Sequence, residues 1–389
     1  AGPLTVEIDI SFEGVLYQQS SARLCAKRAQ LPISLIVQPG LDTLHLWAPQ
    51  HPSLYDAEVR LLQNGCVVDC VRTYFGMRKI ELVNGLVLLN HSPLYQRLIL
   101  DQGYWPDTLL TPPSDEAIRE DVELTLQLGY NGARKHQKVE DPRYYYWADK
   151  LGLLVWGEVP SAYEFCNEMI ANLASTLQEF IQRDFNHPSI ICWTTMNESW
   201  GVRSIYHHKG QQETARMLYH LVKAVDGTRL VSGNDGWEQV ETDICALHDY
   251  TADKDIMRMH FANRAQVEAS SCDFHMCWAD TCARRGDEAF MITEYGGIAY
   301  ANNGQHEEDG METWGYHDKV TNEEAFFQRF EAVNEEVLAL PHCQGYCYTQ
   351  LTDVMQEING LLTPDRKPKM DINRFAKANH NPLGRSNES

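Results

Sequence analysis

A chain of 389 residues, 43% hydrophobic and 22% charged, is long enough to bury a large core and to hold two or three domains. Its net charge of −21 excludes the basic face that nucleic acid or an anionic membrane surface requires, so neither partner is expected. No apolar run approaches the roughly 20 residues that cross a bilayer, and Ala1-Gly2-Pro3 opens without the charged and apolar regions of a signal peptide. The 11 cysteines are odd in number and scattered, many in apolar stretches such as Ile191-Cys192-Trp193, which suits reduced thiols and a cytoplasmic location. Neither Cys272, Cys277 and Cys282 nor the pair Cys343 and Cys347 has the paired short spacing of a structural zinc site, so no metal and no cofactor is expected.

From the N-terminus, Leu4 to Ile10, Leu44 to Trp47 and Ala57 to Leu61 alternate apolar and polar residues as half-buried strands do. Asn64-Gly65, between Leu61-Leu62 and Val67-Val68, predicts a tight hairpin. Residues 1–79 therefore read as a small β-sandwich. A second hairpin at Asn84-Gly85 leads into a different rhythm, in which short apolar runs alternate with longer amphipathic ones. The runs are Tyr95 to Leu100, Gly132 to Lys135, Leu153 to Gly157, Ile190 to Thr194, Leu230 to Ser232, Ile244 to Leu247, Phe290 to Thr293 and Gly345 to Tyr348. Helical patterns are clearest at Asp115 to Leu128, Ala171 to Arg183 and Gln211 to Val225. Eight strand–helix repeats predict an α/β fold, a (β/α)8 TIM barrel over residues 80–378, with 379–389 as a polar, flexible tail. A doubly wound open sheet is the alternative, but nothing here resembles its Gly-rich phosphate turn.

In such a barrel the chemistry lies just past the C-terminal ends of the strands. Asn197-Glu198 comes after the fourth run and Glu294 directly after the seventh. Two strand-end carboxylates are what cleavage of a glycosidic bond needs, one to protonate the leaving oxygen and one to attack the anomeric carbon or activate water. Trp193, Trp200, Tyr295, Trp237 and Tyr250 lie nearby in sequence, and aromatic faces stack on sugar rings. The plain alternative for any one of these glutamates is a loop carboxylate in a salt bridge.

Arg183-Asp184-Phe185-Asn186-His187-Pro188-Ser189-Ile190-Ile191, followed by Trp193 and Asn197-Glu198, closely resembles the acid/base signature of glycoside hydrolase family 2. Leu46-Trp47-Ala48-Pro49 with Pro52 to Tyr55 is similar to the end of that family's immunoglobulin-like domain, and Phe75-Gly76-Met77-Arg78 to the join with its barrel. Leu128 to Arg134, Asp149 to Val155 with Glu158, and Ile292-Thr293-Glu294-Tyr295-Gly296 resemble its second, third and nucleophile strands. The likeness implies an immunoglobulin-like sandwich before the barrel, without the family's N-terminal jelly-roll domain.

By this resemblance the chain is a retaining exo-β-glycosidase, with Glu198 as acid/base and Glu294 as nucleophile. Glu198 should have its pKa raised by burial and by the Glu294 charge. Arg134 is the expected donor to Glu294, Tyr250 resembles the tyrosine that bonds the nucleophile, and Asn197 the contact to the sugar 2-hydroxyl. His248, His136, Glu158, Trp237 and Trp105 are the remaining candidates for the substrate pocket. Arg134 and Glu158 could equally form an ordinary barrel-end ion pair, His136 a solvated loop residue, and the two tryptophans plain wall.

Three departures bear on the sugar. Glu158 is followed by Val159-Pro160-Ser161, not by the Thr-His-Gly that helps hold magnesium in the β-galactosidase subgroup. Ala301-Asn302-Asn303-Gly304 lacks the lysine with which β-glucuronidases hold a sugar carboxylate, and Tyr348 to Asp353 lacks the family's eighth-strand tryptophan. A β-galactosidase-like specificity is expected, with β-glucuronidase, β-mannosidase and a non-catalytic carbohydrate-binding relative as alternatives. A metal-dependent barrel hydrolase would need a His-x-His where Asp101-Gln102-Gly103 stands. The implied partners are a glycoside or oligosaccharide substrate, and the likeness allows a homo-oligomer.

Overall fold

The first segment folds as its alternation demands. A computed structural model describes residues 3–26, 30–36, 43–269, 271–272, 275–280, 282, 286–300 and 312–379. The Ala301 to Gly304 stretch and the tail from residue 380 lie outside these. Two units are distinguished, residues 1–78 with Asn186–Pro188, and residues 79–185 with 189–389.

In the first unit β1 (Leu4–Phe12) and β2 (Val15–Leu24) form one hairpin. After the short β3 (Trp47–Ala48) and β4 (His51–Pro52) come β5 (Tyr55–Gln63) and β6 (Cys66–Phe75), which form another. The second hairpin turns at Asn64 and Gly65, whose φ of 50° and 81° is the left-handed pair that an Asn-Gly turn supplies at least cost. The sheet is antiparallel in the order β2-β1-β5-β6. Its buried face gathers Ile10, Tyr55 and Ala57, and Ile33, Leu35 and Leu44 pack over them as the opposing layer. Tyr55 stacks on Phe75 with centroids 5.3 Å apart, and its hydroxyl accepts from the His45 amide at 2.8 Å. Leu44 to Trp47, expected as a strand, is extended only at Trp47–Ala48.

The second unit opens with an antiparallel ribbon of β7 (Ile80–Val83), β8 (Leu86–Leu89) and β9 (Ser92–Pro93), turning at Asn84-Gly85. The barrel follows as β10 (Gln96–Asp101), α1 (Asp115–Gln127), β11 (Gly132–Lys135), α2 (Pro142–Leu151), β12 (Leu154–Glu158), α3 (Asn167–Asp184), β13 (Ile190–Thr194) and α4 (Lys209–Val225). It continues through β14 (Leu230–Ser232), β15 (Ile244–His248), the short α5 (Lys254–His260) and α6 (Arg264–Ala269), and a small ribbon of β16 (Ser271–Cys272) and β17 (His275–Met276). It ends with β18 (Ala289–Gly296), α7 (Glu323–Ala339), β19 (Cys343–Thr349) and α8 (Ile372–Asn379). Every expected strand is present, shifted by no more than a few residues.

The eight parallel strands pair in the order β14-β13-β12-β11-β10-β19-β18-β15. The seam between β14 and β15 is bridged by Asp243, whose amide donates to the Val231 carbonyl and whose side chain accepts from the Val231 amide, each at 2.9 Å, and by Thr242 Oγ1, which accepts from the Gly233 amide at 3.1 Å. Helix starts follow local chemistry. Ser114 caps α1 through the Ala117 amide, and Asp141 caps α2 ahead of Pro142 at its first position. Gly152, at φ 81°, ends α2. Gln96 meets two other strands, accepting from Trp156 Nε1 at 2.8 Å and donating to Met291 Sδ at 3.4 Å. Asn379, expected in the tail, is instead buried at the end of α8, where its side chain bonds the Leu128 carbonyl, Asn334 and Tyr346.

The ten cysteines with described side chains are free. Cys245 and Cys277 bring their sulfurs to 3.5 Å. No helix among the described residues is long and apolar enough to cross a membrane.

Candidate active site

The C-terminal ends of β11, β12, β15 and β18 and the loops after β13 and β14 converge on one guanidinium. Arg134, the third residue of β11, is fully buried. Its Nε lies 2.7 Å from Glu158 Oε2, and its Nη1 lies 2.9 Å from Asp235 Oδ1 and 3.0 Å from Glu294 Oε1. Its Nη2 donates to Asn197 Oδ1 at 2.6 Å. Burial alone would lower the pKa of this group, but Asp235, Glu158 and Glu294 outweigh it and hold the charge. Truncating one member of such a buried network typically costs about 3–5 kcal/mol, so Arg134 orders the site before it does anything else.

Glu294 is gripped from two sides. Arg134 holds Oε1, and the Tyr250 hydroxyl donates to Oε2, with Thr349 Oγ1 3.2 Å from the same hydroxyl oxygen. Tyr250 is itself fixed by Tyr316, stacked with ring centroids 3.4 Å apart and planes 2° from parallel.

Glu198 sits differently. It and Ser199 have left-handed φ values of 49° and 53°, a conformation that non-glycine residues rarely take. Backbone pairing sustains it, because the Glu198 amide donates to the Asp235 carbonyl and the Asp235 amide to the Met196 carbonyl, each at 2.9 Å. Ser199 is tied down by Asn234, which accepts from its amide at 3.0 Å, and by Glu238, which accepts from its hydroxyl at 2.7 Å.

His248 joins the two halves. Its Nδ1 lies 2.8 Å from Glu198 Oε1, and its Nε2 lies 3.0 Å from Asp235 Oδ1 and 3.4 Å from Glu294 Oε1. Burial opposes its protonation, but Glu294, Asp235 and Glu198 together raise its pKa to about 10. The ring packs against Gly236, where a Cβ would fall 2.3 Å from it, so only glycine fits there. The effect on Glu198 reverses the sequence expectation. Burial pushes its carboxyl up, but the hydrogen bond and charge of His248, then His136 and Arg134, pull it below the ordinary carboxylate range. The proton that this pair shares therefore rests on the imidazole.

Of the other expected residues, Glu158 accepts from the Gln137 amide at 2.9 Å as well as from Arg134. His136 is drawn inward, with Nδ1 3.4 Å from Glu158 Oε1 and 3.9 Å from Glu294 Oε1. Burial lowers its pKa, but Glu158 and Glu294 overcome this and the net shift is upward. Trp237 is half-buried and stacks on His275 with centroids 3.5 Å apart. Trp105 stands apart: it is buried, and one face is taken by the Arg366 guanidinium, 3.4 Å from the ring centroid.

Sequence reading missed Asp235, whose burial would raise its pKa but which Arg134 and His248 hold well below the ordinary value. It lies just past β14, so the strand-end rule that found the glutamates applies to it equally. Gln102, Tyr316, Thr349, Gln350 and Glu357 were also missed. Gln102, Thr349 and Gln350 stand at or just past the ends of β10 and β19 and obey the same rule, whereas Tyr316 and Glu357 are brought in by folding and no spacing marks them.

Among the described residues, Glu198, His248 and Glu294 are the one group whose ligand atoms, all within 4.8 Å of one another, could surround a metal ion. Both nitrogens of His248 face carboxylates and Arg134 occupies Glu294, so protons already fill the place a cation would take. The same geometry brings the facing oxygens of the two glutamates within 4.8 Å.

Residues 112–381 match the family model for the glycosyl hydrolases family 2 TIM barrel domain, and residues 7–78 that for glycosyl hydrolases family 2. The chain is 29% identical over 376 residues to a β-glucuronidase of Streptococcus agalactiae, across 87% of this chain and 58% of that protein. It is 29% identical over 230 residues to a β-galactosidase of Enterobacter cloacae, across 56% of this chain and 21% of that one. The crystal structure of Bacteroides uniformis β-glucuronidase superposes with a TM-score of 0.76 at 20% identity, covering 98% of this chain and 47% of that one, a likeness of fold. The chain thus spans between about a fifth and three fifths of the relatives it matches. With its larger part matched by the barrel model, it belongs to glycosyl hydrolase family 2.

Proposed function

We propose that this chain carries the active site of a retaining exo-β-glycosidase, β-galactosidase-like in its glycone, that works by double displacement. The observation that supports the reading most is the facing of Glu198 and Glu294 within 4.8 Å in unlike surroundings. Glu294, its oxygens aimed by Arg134 and Tyr250, attacks the anomeric carbon and forms a glycosyl ester. Glu198 protonates the departing oxygen. For that, the proton resting on His248 crosses 2.8 Å to the carboxylate as the bound sugar displaces water from the site. Glu198 then takes a proton from water, which attacks the ester from the same face and releases the sugar with its configuration kept. Asn197, held by Arg134 and reaching Ser161 through its backbone amide at 3.2 Å, is placed to meet the 2-hydroxyl.

Hydrolysis of nitrophenyl β-glycosides followed by proton NMR tests this. The first-formed sugar is expected to be the β-anomer, and the α-anomer would refute double displacement. A β-glucuronidase specificity is the second reading, favoured by the Streptococcus relative.

A further inference from the structure

One carboxylate near the two glutamates has no part in the proposed reaction. A run of polar groups leads to it from Glu294. Tyr250 bridges Glu294 and Thr349. The next residue, Gln350, accepts from Gln102 Nε2 at 2.8 Å, and the same Gln102 amide donates to Glu357 Oε2 at 3.1 Å. Asn359 closes the group by donating to Glu357 Oε1 at 3.0 Å and accepting from Gln350 Nε2 at 2.8 Å. Trp314 pins the turn that carries Glu357, donating to the Gln356 carbonyl at 2.9 Å and accepting from the Ile358 amide at 3.0 Å. It also meets Tyr316 edge-on, with centroids 5.7 Å apart.

The hydrogen-bond partners of Glu357 are thus neutral amides, and among the described residues no lysine or arginine forms an ion pair with it. Burial pushes its carboxyl up in pKa, Asn359, Gln102 and Gln350 offset part of this, and the Glu294 charge adds to the rise. Lys369, which reaches the carbonyl of the adjoining Ile358, is spent on Asp353 and two backbone carbonyls.

A carboxylate is an acceptor that suits sugar hydroxyls, and an anion brought beside it finds a like charge that no lysine or arginine among the described residues pairs with. Building on the glycosidase reading, we propose that Glu357 is a glycone-specificity residue: with Gln102 and Gln350 it receives hydroxyl groups of a neutral hexose and turns away a uronate. The site then takes β-hexosides, and β-glucuronides and β-galacturonides are poor substrates.

The test uses the nitrophenyl β-galactoside, β-glucoside, β-mannoside, β-glucuronide and β-galacturonide with the wild-type protein and with Glu357→Gln. The best neutral hexoside should exceed the better uronide in kcat/KM by at least about a hundredfold, and Glu357→Gln should narrow that gap at least about tenfold. Glu357→Asp, which keeps the charge but withdraws it, should lose hexoside rate without gaining on uronides. A wild-type preference for a uronide, or a gap that Glu357→Gln leaves unchanged, overturns the proposal. If all five substrates are inert and no mechanism-based reagent labels Glu294, the hydrolase reading falls and this one with it. Labelling of Glu294 together with a uronide preference sinks the specificity claim alone.

Discussion

Glu294 and Glu198 face one another within 4.8 Å, yet they are held by opposite kinds of neighbour. Glu294 lies within β18 and is gripped by donors that do not give up a proton near neutrality, Arg134 and Tyr250. Glu198 lies on a left-handed turn beyond its strand, and its near partner is an imidazole that does exchange protons. In the proposed reaction the first arrangement keeps the nucleophile aimed. The second couples a carboxyl to a proton store 2.8 Å away. The division of labour between two identical side chains thus comes from their surroundings, as pKa matching in two-carboxylate sites requires.

Removing the nucleophile should break the comparison most completely. Glu294→Gln should lower kcat on every substrate by a factor on the order of a million, because no other group can form the ester. Glu198→Ala should act selectively. It should cost about 10²–10⁴-fold on substrates whose leaving group needs protonation, and much less on dinitrophenyl glycosides. Azide should accelerate that variant and give a β-glycosyl azide, and an α-azide would show inversion instead.

His248→Asn sharpens the contrast through pH. The pair His248–Glu198 keeps its shared proton until pH approaches about 10, so the alkaline limb of kcat/KM should fall there in the wild-type protein. Without the imidazole the proton must sit on Glu198 itself. Its carboxyl pKa rises from the depressed value that His248 imposes, and the alkaline limb should move down from near 10 toward the carboxylate range. An unmoved limb would mean that His248 is not the proton store. The smallest effect should come from excess chelator, which should leave turnover unchanged, because protons and Arg134 already neutralise the carboxylates.

Much of this was legible in the sequence, for a physical reason. The barrel strands Ile190–Thr194 and Leu154–Glu158 are buried throughout, so they read as short unbroken apolar runs between amphipathic helices. The strand-end rule then pointed to Glu198 and Glu294, and Asp235 obeys the same rule. The pKa direction of Glu198 was not legible, because it depends on an imidazole fifty residues away. Glu357 was hidden for a similar reason: it follows the end of β19 by eight residues in an irregular stretch, and only folding brings Gln102 to it. Trp105 shows the converse, an aromatic residue at a strand end whose face is covered by Arg366.

The claim that Glu294 forms the covalent bond is tested most directly by trapping it. Incubation with a 2-deoxy-2-fluoro β-glycosyl fluoride, which slows the second displacement, followed by digestion and peptide mass analysis, should find one sugar on the peptide that contains Glu294. A label on Glu198 or Glu158, or no adduct while an inverted product accumulates, would contradict the account.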